Sequence, residues 1–142
     1  MALVLVHGGR LTEAEAASLD VHHAAAFLPY RAVLPHAALC ITHGGSNTVL
    51  DTLSCGVPLL VRPVGFDQPG NLARIRHHGL GEKLASLRRP DRIAEQIGRL
   101  SGDGEVRKRC AAVSAELAAA GGAERAADVV ERELPSLKQA GN

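Results

Sequence analysis

Ile41-Thr42-His43-Gly44-Gly45-Ser46-Asn47-Thr48-Val49-Leu50-Asp51 decides the fold. The apolar run that ends at Thr42 reads as a short buried strand. The pattern that starts at Ser46 reads as a helix running to Cys55, with Gly56 placed to end it and Pro58 just beyond. Two glycines and a histidine fill the join. A strand that turns directly into a helix leaves the first N–H groups of that helix without partners at the positive end of its dipole. Glycine at 44 and 45 removes side chains that would keep a ligand away from those groups. Ser46, Asn47, Thr48 and the His43 imidazole add donors. This combination suits a phosphate or a diphosphate.

The chain on either side repeats the alternation. Leu3–Val6 predicts a buried strand that ends in His7-Gly8-Gly9, and Thr12–Leu19 a short helix with Thr12 and Glu15 at capping-box spacing. Val21–Leu28 predicts a second strand, Arg31–Leu34 a helical turn, Ala38–Thr42 a third strand, Val57–Val61 a fourth and Gly81–Leu84 a short last one. Pro69–His78 reads as a helix with proline in its first turn. Helices at Asp91–Leu100, Glu105–Ala119 and Ala123–Leu134 follow, with apolar seams at Val106, Cys110, Val113 and Leu117 and at Ala126, Val130 and Leu134. Continuous apolar strands alternating with helices predict an α/β fold, a Rossmann-like parallel sheet with helices on both faces. Ligands in such folds sit beyond the carboxyl ends of the strands. His7-Gly8-Gly9, His43-Gly44-Gly45 and Arg62–Gln68 are the loops expected there.

Bulk properties narrow the function. A formal charge of +1 gives no field to draw nucleic acid or an anionic membrane, and 2% aromatics leaves few platforms for stacking bases. No apolar run approaches the roughly 20 residues of a membrane span, and no signal peptide precedes the first strand. Cys40, Cys55 and Cys110 form no CxxC pair, and Cys40 and Cys55 read as small buried hydrophobes of a reducing, cytoplasmic protein. His22-His23 on a strand would point to opposite faces, and His77-His78 lie near a helix end, so no metal cofactor is expected. The hydrolase elbow G-x-S-x-G is missing: Ser46 follows Gly44 but precedes Thr48, and Ser54 precedes Gly56 but follows Thr52. No G-x-G-x-x-G follows the first strand, which argues against a nicotinamide dehydrogenase. On the helix after the glycines, Asn47, Asp51 and Ser54 share one face, and Val49, Leu50 and Leu53 the other. Asp51 stands one turn below the anion site, where a carboxylate can accept hydrogen bonds from a ribose diol. Asp67 can also be read as the cap of the helix that follows it.

Taken in order, Phe27-Leu28-Pro29-Tyr30, Val33-Leu34-Pro35-His36, Thr42–Thr48, Gly56-Val57-Pro58, Asp67-Gln68 and Asn71 closely resemble the donor-binding signature of nucleotide-sugar-dependent glycosyltransferases of the GT-B superfamily. The resemblance is to the branch containing plant secondary-metabolite glucosyltransferases, glucuronosyltransferases and bacterial natural-product glycosyltransferases. It runs from about Leu3 to about Glu131, leaving residues 132–142 as a tail. It implies one nucleotide-sugar donor-binding domain over residues 1–142, the carboxy-terminal half of a GT-B fold, with that half's usual first strand outside this sequence.

The resemblance also implies roles. Phe27, in place of a frequent tryptophan, would stack on the base. Leu28 would offer backbone hydrogen bonds to it. Tyr30, where glutamine is common, would lie near the ribose, and Asp51, in place of glutamate, would bind its hydroxyls. His43, Gly44, Gly45, Ser46, Asn47 and Thr48 would hold the diphosphate, and Asp67 and Gln68 the sugar hydroxyls. Pro58 and Asn71 would be mainly structural or would support the residues that touch the donor. The donor implied is a uridine or thymidine diphosphate sugar, used by an inverting transferase acting on a small-molecule acceptor. The catalytic base is expected on a separate acceptor-binding domain, so the chain alone is expected to transfer little sugar, and self-association through its apolar surface is allowed. The alternative is a non-catalytic nucleotide-sugar-binding subunit that completes an enzyme in trans.

Overall fold

A computed structural model describes residues 1–139, with side chains described for residues 1–134. The chain forms two compact units, residues 1–33 and 34–142. Part of the tail expected over 132–142 thus lies outside the described residues.

The first unit contains β1 (Val4–Val6), α1 (Glu13–Ala17), β2 (His23–Ala25) and α2 (Tyr30–Val33). β1 and β2 pair in parallel, Val4 opposite His23 and Val6 opposite Ala25. The Thr12–Glu15 capping box forms as its spacing predicts: the Thr12 hydroxyl accepts from the Glu15 amide, and the Glu15 carboxylate accepts from the Thr12 amide at 2.8 Å. β1 is not the buried strand that its composition predicts, since Leu3 and Val4 are exposed. Within this unit only two strands, a five-residue helix and a four-residue helix are available to cover it. The second strand is also shorter than Val21–Leu28. His22 stands just outside it, its Nδ1 accepting from the Leu3 amide at 3.1 Å.

The second unit carries the core. β3 (Cys40–Thr42), β4 (Leu59–Val61) and β5 (Gly81–Lys83) form a parallel sheet in the order β3-β4-β5. α3 (Ser46–Ser54) joins the first two strands, and α4 (Gln68–His77) the last two. α5 (Pro90–Gly102), α6 (Gly104–Ala119) and α7 (Gly122–Gln139) follow. Leu59, Leu60 and Val61 of the central strand are fully buried, with Val49 and Leu53 of α3, Leu72 and Ile75 of α4, Leu100 of α5 and Val106 and Cys110 of α6 around them. Unbroken apolar composition in β4 is what a strand covered on both faces requires. Cys110, not Cys40 or Cys55, is the fully buried thiol, because its place on the α6 seam faces the core while the other two stay half-buried.

Two helical faces differ from expectation. Leu50 is 51% exposed, and Thr52 takes the buried place beside Val49 and Leu53. Positions 49, 52 and 53 recur at helical spacing, whereas 50 is turned a quarter-circle from 49. Thr52 tolerates burial because its hydroxyl donates to the Thr48 carbonyl at 2.6 Å. On α7, Val130 and Leu134 remain exposed, so the expected Ala126–Val130–Leu134 seam does not pack into the core. The α6 seam does: Val106 and Cys110 are buried, and Val113 and Leu117 pack against them.

The register positions the loops that matter. Thr42 is paired with Val61, so the chain leaves β3 and β4 side by side at one sheet edge. The Arg62 amide then donates to the Thr42 carbonyl at 3.0 Å, extending the pairing to the first residue of the second loop.

Candidate functional site

Gly44 makes the turn out of β3. Its φ of +92° is a conformation L side chains rarely adopt, and a Cβ there would lie 2.6 Å from Cγ1 of buried Val61. Its amide donates to Thr42 Oγ1 at 3.2 Å, which pins the turn to the strand end. Gly45 then caps α3 without a side chain. The first helical hydrogen bond runs from the Val49 amide to the Gly45 carbonyl at 3.0 Å. The amides of Asn47 and Thr48 precede it and have no partner among the described residues, while the Ser46 amide lies against the Asp67 carboxylate and helps hold its pKa low.

His43 is exposed, and its ring lies against Gly45: a Cβ at Gly45 would stand 2.8 Å from His43 Nε2. The second glycine is therefore small because the imidazole occupies the space beside the helix start. Open amides, a dipole end and an imidazole converge there.

The Arg62–Asp67 loop supplies the other wall. The Gln68 side chain is buried, and its Oε1 accepts from the Val64 amide at 2.7 Å and the Gly65 amide at 3.0 Å. One carbonyl oxygen thus fixes the loop from within, and Nε2 has no hydrogen-bond partner among the described residues. Val64 and Phe66 project outward, Phe66 99% exposed and at φ +57°, the only non-glycine with positive φ among the described residues.

Asp67 does not cap α4 through its side chain. Its Oδ2 accepts instead from Ser46 Oγ at 2.6 Å and from Asn71 Nδ2 at 2.9 Å. The Ser46 hydroxyl first, and then the Asn71 amide, hold the Asp67 carboxyl below its ordinary range. The group is accordingly an ionised acceptor beside the α3 N-terminus, with the Asp67 and Ser46 backbone amides adding to its stabilisation.

His43, Gly44, Gly45, Ser46, Asn47, Thr48, Asp67 and Gln68 thus meet at one edge of the three-stranded sheet. Asp51 lies one turn down α3, half-buried, its carboxylate without a partner among the described residues. Phe27, Leu28 and Tyr30 belong to the first unit: Phe27 is exposed after β2, Leu28 is half-buried, and Tyr30 opens α2. Three contributions were not read from the sequence. Asn71 bonds Gly44, Ser46 and Asp67 together, Thr42 pins Gly44, and Gln68 turns inward. The four-residue spacing of Asp67 and Asn71 places them on one helix face, but only the folded chain brings Gly44 beside them. Among the described residues no group of three or more His, Cys, Asp or Glu side chains is arranged to hold a metal ion. Among those residues no helix is long and apolar enough to cross a membrane.

A family model for the carboxy-terminal domain of erythromycin biosynthesis protein CIII-like proteins matches residues 4–132. The chain belongs to this family of GT-B glycosyltransferases. It is 38% identical over 133 residues to a zeaxanthin glucosyltransferase of Pantoea ananas, a match that covers 92% of this chain and 31% of that protein. The calicheamicin glycosyltransferase CalG4 superposes with a TM-score of 0.84 at 32% identity, over 94% of this chain and 36% of that one. The spinosyn rhamnosyltransferase SpnG, solved with thymidine diphosphate, matches with a TM-score of 0.59 at 26% identity, over 65% of this chain and 26% of its own. The chain spans about a third of the length of the curated relatives it matches.

Proposed function

We propose that this chain binds the nucleoside diphosphate sugar used by an inverting glycosyltransferase and supplies the leaving-group half of its reaction. The observation that carries the reading is the pair of open amides at Asn47 and Thr48, with the His43 ring against Gly45 and the Asp67 carboxylate bonded to Ser46 at the same helix start. The amides and imidazole suit the diphosphate. The ionised Asp67 and the Gln68 Nε2 suit sugar hydroxyls, which need an acceptor and a donor. Asp51 suits the ribose, and the family resemblance implies the base for Phe27 and Leu28 and a place near the ribose for Tyr30. Thymidine diphosphate in the spinosyn rhamnosyltransferase supports a nucleotide at this fold's site, and uridine diphosphate is the other candidate.

In the reaction, an acceptor hydroxyl attacks the anomeric carbon while the bond from that carbon to the diphosphate breaks. Negative charge grows on the departing phosphoryl oxygen. Donors fixed in advance at a helix start meet that charge without reorganising. The attacking hydroxyl must lose its proton to a base that this half of the site does not provide.

Calorimetric titration with uridine and thymidine diphosphates tests the reading. The expected result is binding of one of them, weakened about tenfold by His43→Ala, the scale of one hydrogen bond to a charged group. Since His43 is exposed, the variant should melt like the wild type. Equal affinities in the two proteins would remove His43 from the site.

A further inference from the structure

Asn71 was expected to be structural or to support residues that touch the donor. Its contacts describe something more particular. Nδ2 donates toward three acceptors: the Gly44 carbonyl at 2.9 Å, Ser46 Oγ at 3.2 Å and Asp67 Oδ2 at 2.9 Å. Its Oδ1 accepts from Arg74 Nη1 at 3.4 Å. The amide cannot be turned over, because the Gly44 carbonyl and the Asp67 carboxylate are acceptors only and would then face a third oxygen. Ser46 closes a triangle: its hydroxyl accepts from Asn71 and donates to the same Asp67 oxygen at 2.6 Å.

Each partner belongs to a different part of the donor site. Gly44 shapes the turn that opens the α3 amides, Ser46 is the first residue of that helix, and Asp67 faces the sugar in the reading above. We propose that Asn71 is a positioning residue that joins the diphosphate-binding turn to the sugar-binding carboxylate, so that the two halves of the donor are gripped by one rigid unit. The inference rests on the donor-site reading and adds to it the residue that couples its halves.

The chemistry favours this over simple support of the fold. A carboxylate has two oxygens and a freely turning terminal bond. Ser46 and Asn71 both hold Oδ2, one from the start of α3 and one from α4. Without Asn71 the carboxylate is held across the site from the Ser46 side only, with one of its two side-chain anchors gone. The sugar contact then loses its orientation, while the amides of Ser46, Asn47 and Thr48 stay with their helix.

The test is calorimetric titration of the 142-residue chain with uridine and thymidine diphosphates and with the corresponding diphosphoglucoses, beside urea denaturation of each variant. The readout is the ratio of Kd for the sugar nucleotide to Kd for the bare diphosphate. In Asn71→Ala this ratio should rise about tenfold, the scale of one charge-assisted hydrogen bond. Asn71→Asp keeps the size but removes the donor hydrogens, and should do the same. In an Asp67→Asn background, Asn71→Ala should move the ratio no further, because the two residues act as one. If Asn71→Ala fails to fold, Ser46→Ala decides, since it cuts the same triangle from an exposed position and leaves the amides in place. An unchanged ratio, parallel weakening of both ligands, or an additive double variant would overturn the coupling and leave the donor site standing. A wild-type chain that binds none of the four ligands refutes the donor site and this inference with it.

Discussion

The two adjacent glycines should fail in opposite ways when each is replaced by alanine. At Gly44 the backbone sits at φ +92° and the new methyl would stand 2.6 Å from Cγ1 of Val61, a fully buried residue of the central strand. Forcing an L residue to positive φ costs about 1–2 kcal/mol. Overpacking a filled core adds about 1–3 kcal/mol. The sum is about 2–5 kcal/mol, a large part of the roughly 5–15 kcal/mol that holds a domain folded. With a urea m-value of about 2 kcal/mol per molar, the midpoint should fall by about 1–2.5 M. At Gly45 the backbone is ordinary, φ −65° and ψ 144°, and the methyl would meet only atoms of the exposed His43 ring. That ring can swing away, so the stability loss should stay within about 1 kcal/mol, the range of a helix-cap change. Nucleotide affinity should nonetheless fall as far as in His43→Ala. Urea denaturation followed by circular dichroism, with calorimetric titration of the surviving variants, measures both quantities. Similar midpoints for the two alanine variants would refute the assignment of one glycine to the core and the other to the site. So would a stable Gly44→Ala whose affinity is intact.

Other outcomes can be stated briefly. Ser46→Ala removes the largest influence holding the Asp67 carboxyl low, so its titration, followed by carboxyl NMR shifts, should move upward toward the ordinary carboxylate value. Because that pKa is depressed in the folded chain, the stabilisation it reflects is complete above the unfolded carboxylate range and is lost as pH falls through the lower folded value. Wild type should therefore lose more stability than Ser46→Ala between about pH 5 and the lower folded value. Cys110 is fully buried and its thiol is pushed up to about 11, so a disulfide reagent should label half-buried Cys55 in the native chain and reach Cys110 only on unfolding. Leu60→Ala in the central strand should cost about 2–5 kcal/mol in urea denaturation, since Leu60 is fully enclosed and leaves a cavity.

What the sequence reveals follows the range of the interaction. The Thr12–Glu15 cap, the glycine turn into α3 and the apolar β4 are set by neighbours along the chain, and each is where its pattern places it. The parallel sheet follows from the alternation of strands and helices. Leu50 was placed with Val49 and Leu53 on apolar identity rather than helical angle, and Thr52 holds the buried place instead, since a threonine that bonds its own helix is a good core residue. β1 and the α7 seam are apolar yet exposed, because burial depends on what lies opposite and not on the strand or helix itself. Within the site, His43 through Thr48 could be read from local chemistry. Asn71 could not, because its carbonyl partner lies 27 residues away and comes near only when β3 and β4 align Thr42 with Val61. The resemblance implied a sugar contact for Gln68, but that its carbonyl oxygen holds the backbone of its own loop could not be read from the sequence.

That inward glutamine has a practical meaning for redesign. A loop whose course is dictated from underneath needs nothing from the residues on its outer side. Val64 and Phe66 can therefore be exchanged in combination while the underlying scaffold stays put, provided position 66 keeps a residue at ease with positive φ, such as glycine or asparagine. Randomising this pair would vary the chemistry of the rim next to the Asp67 carboxylate at little risk to folding.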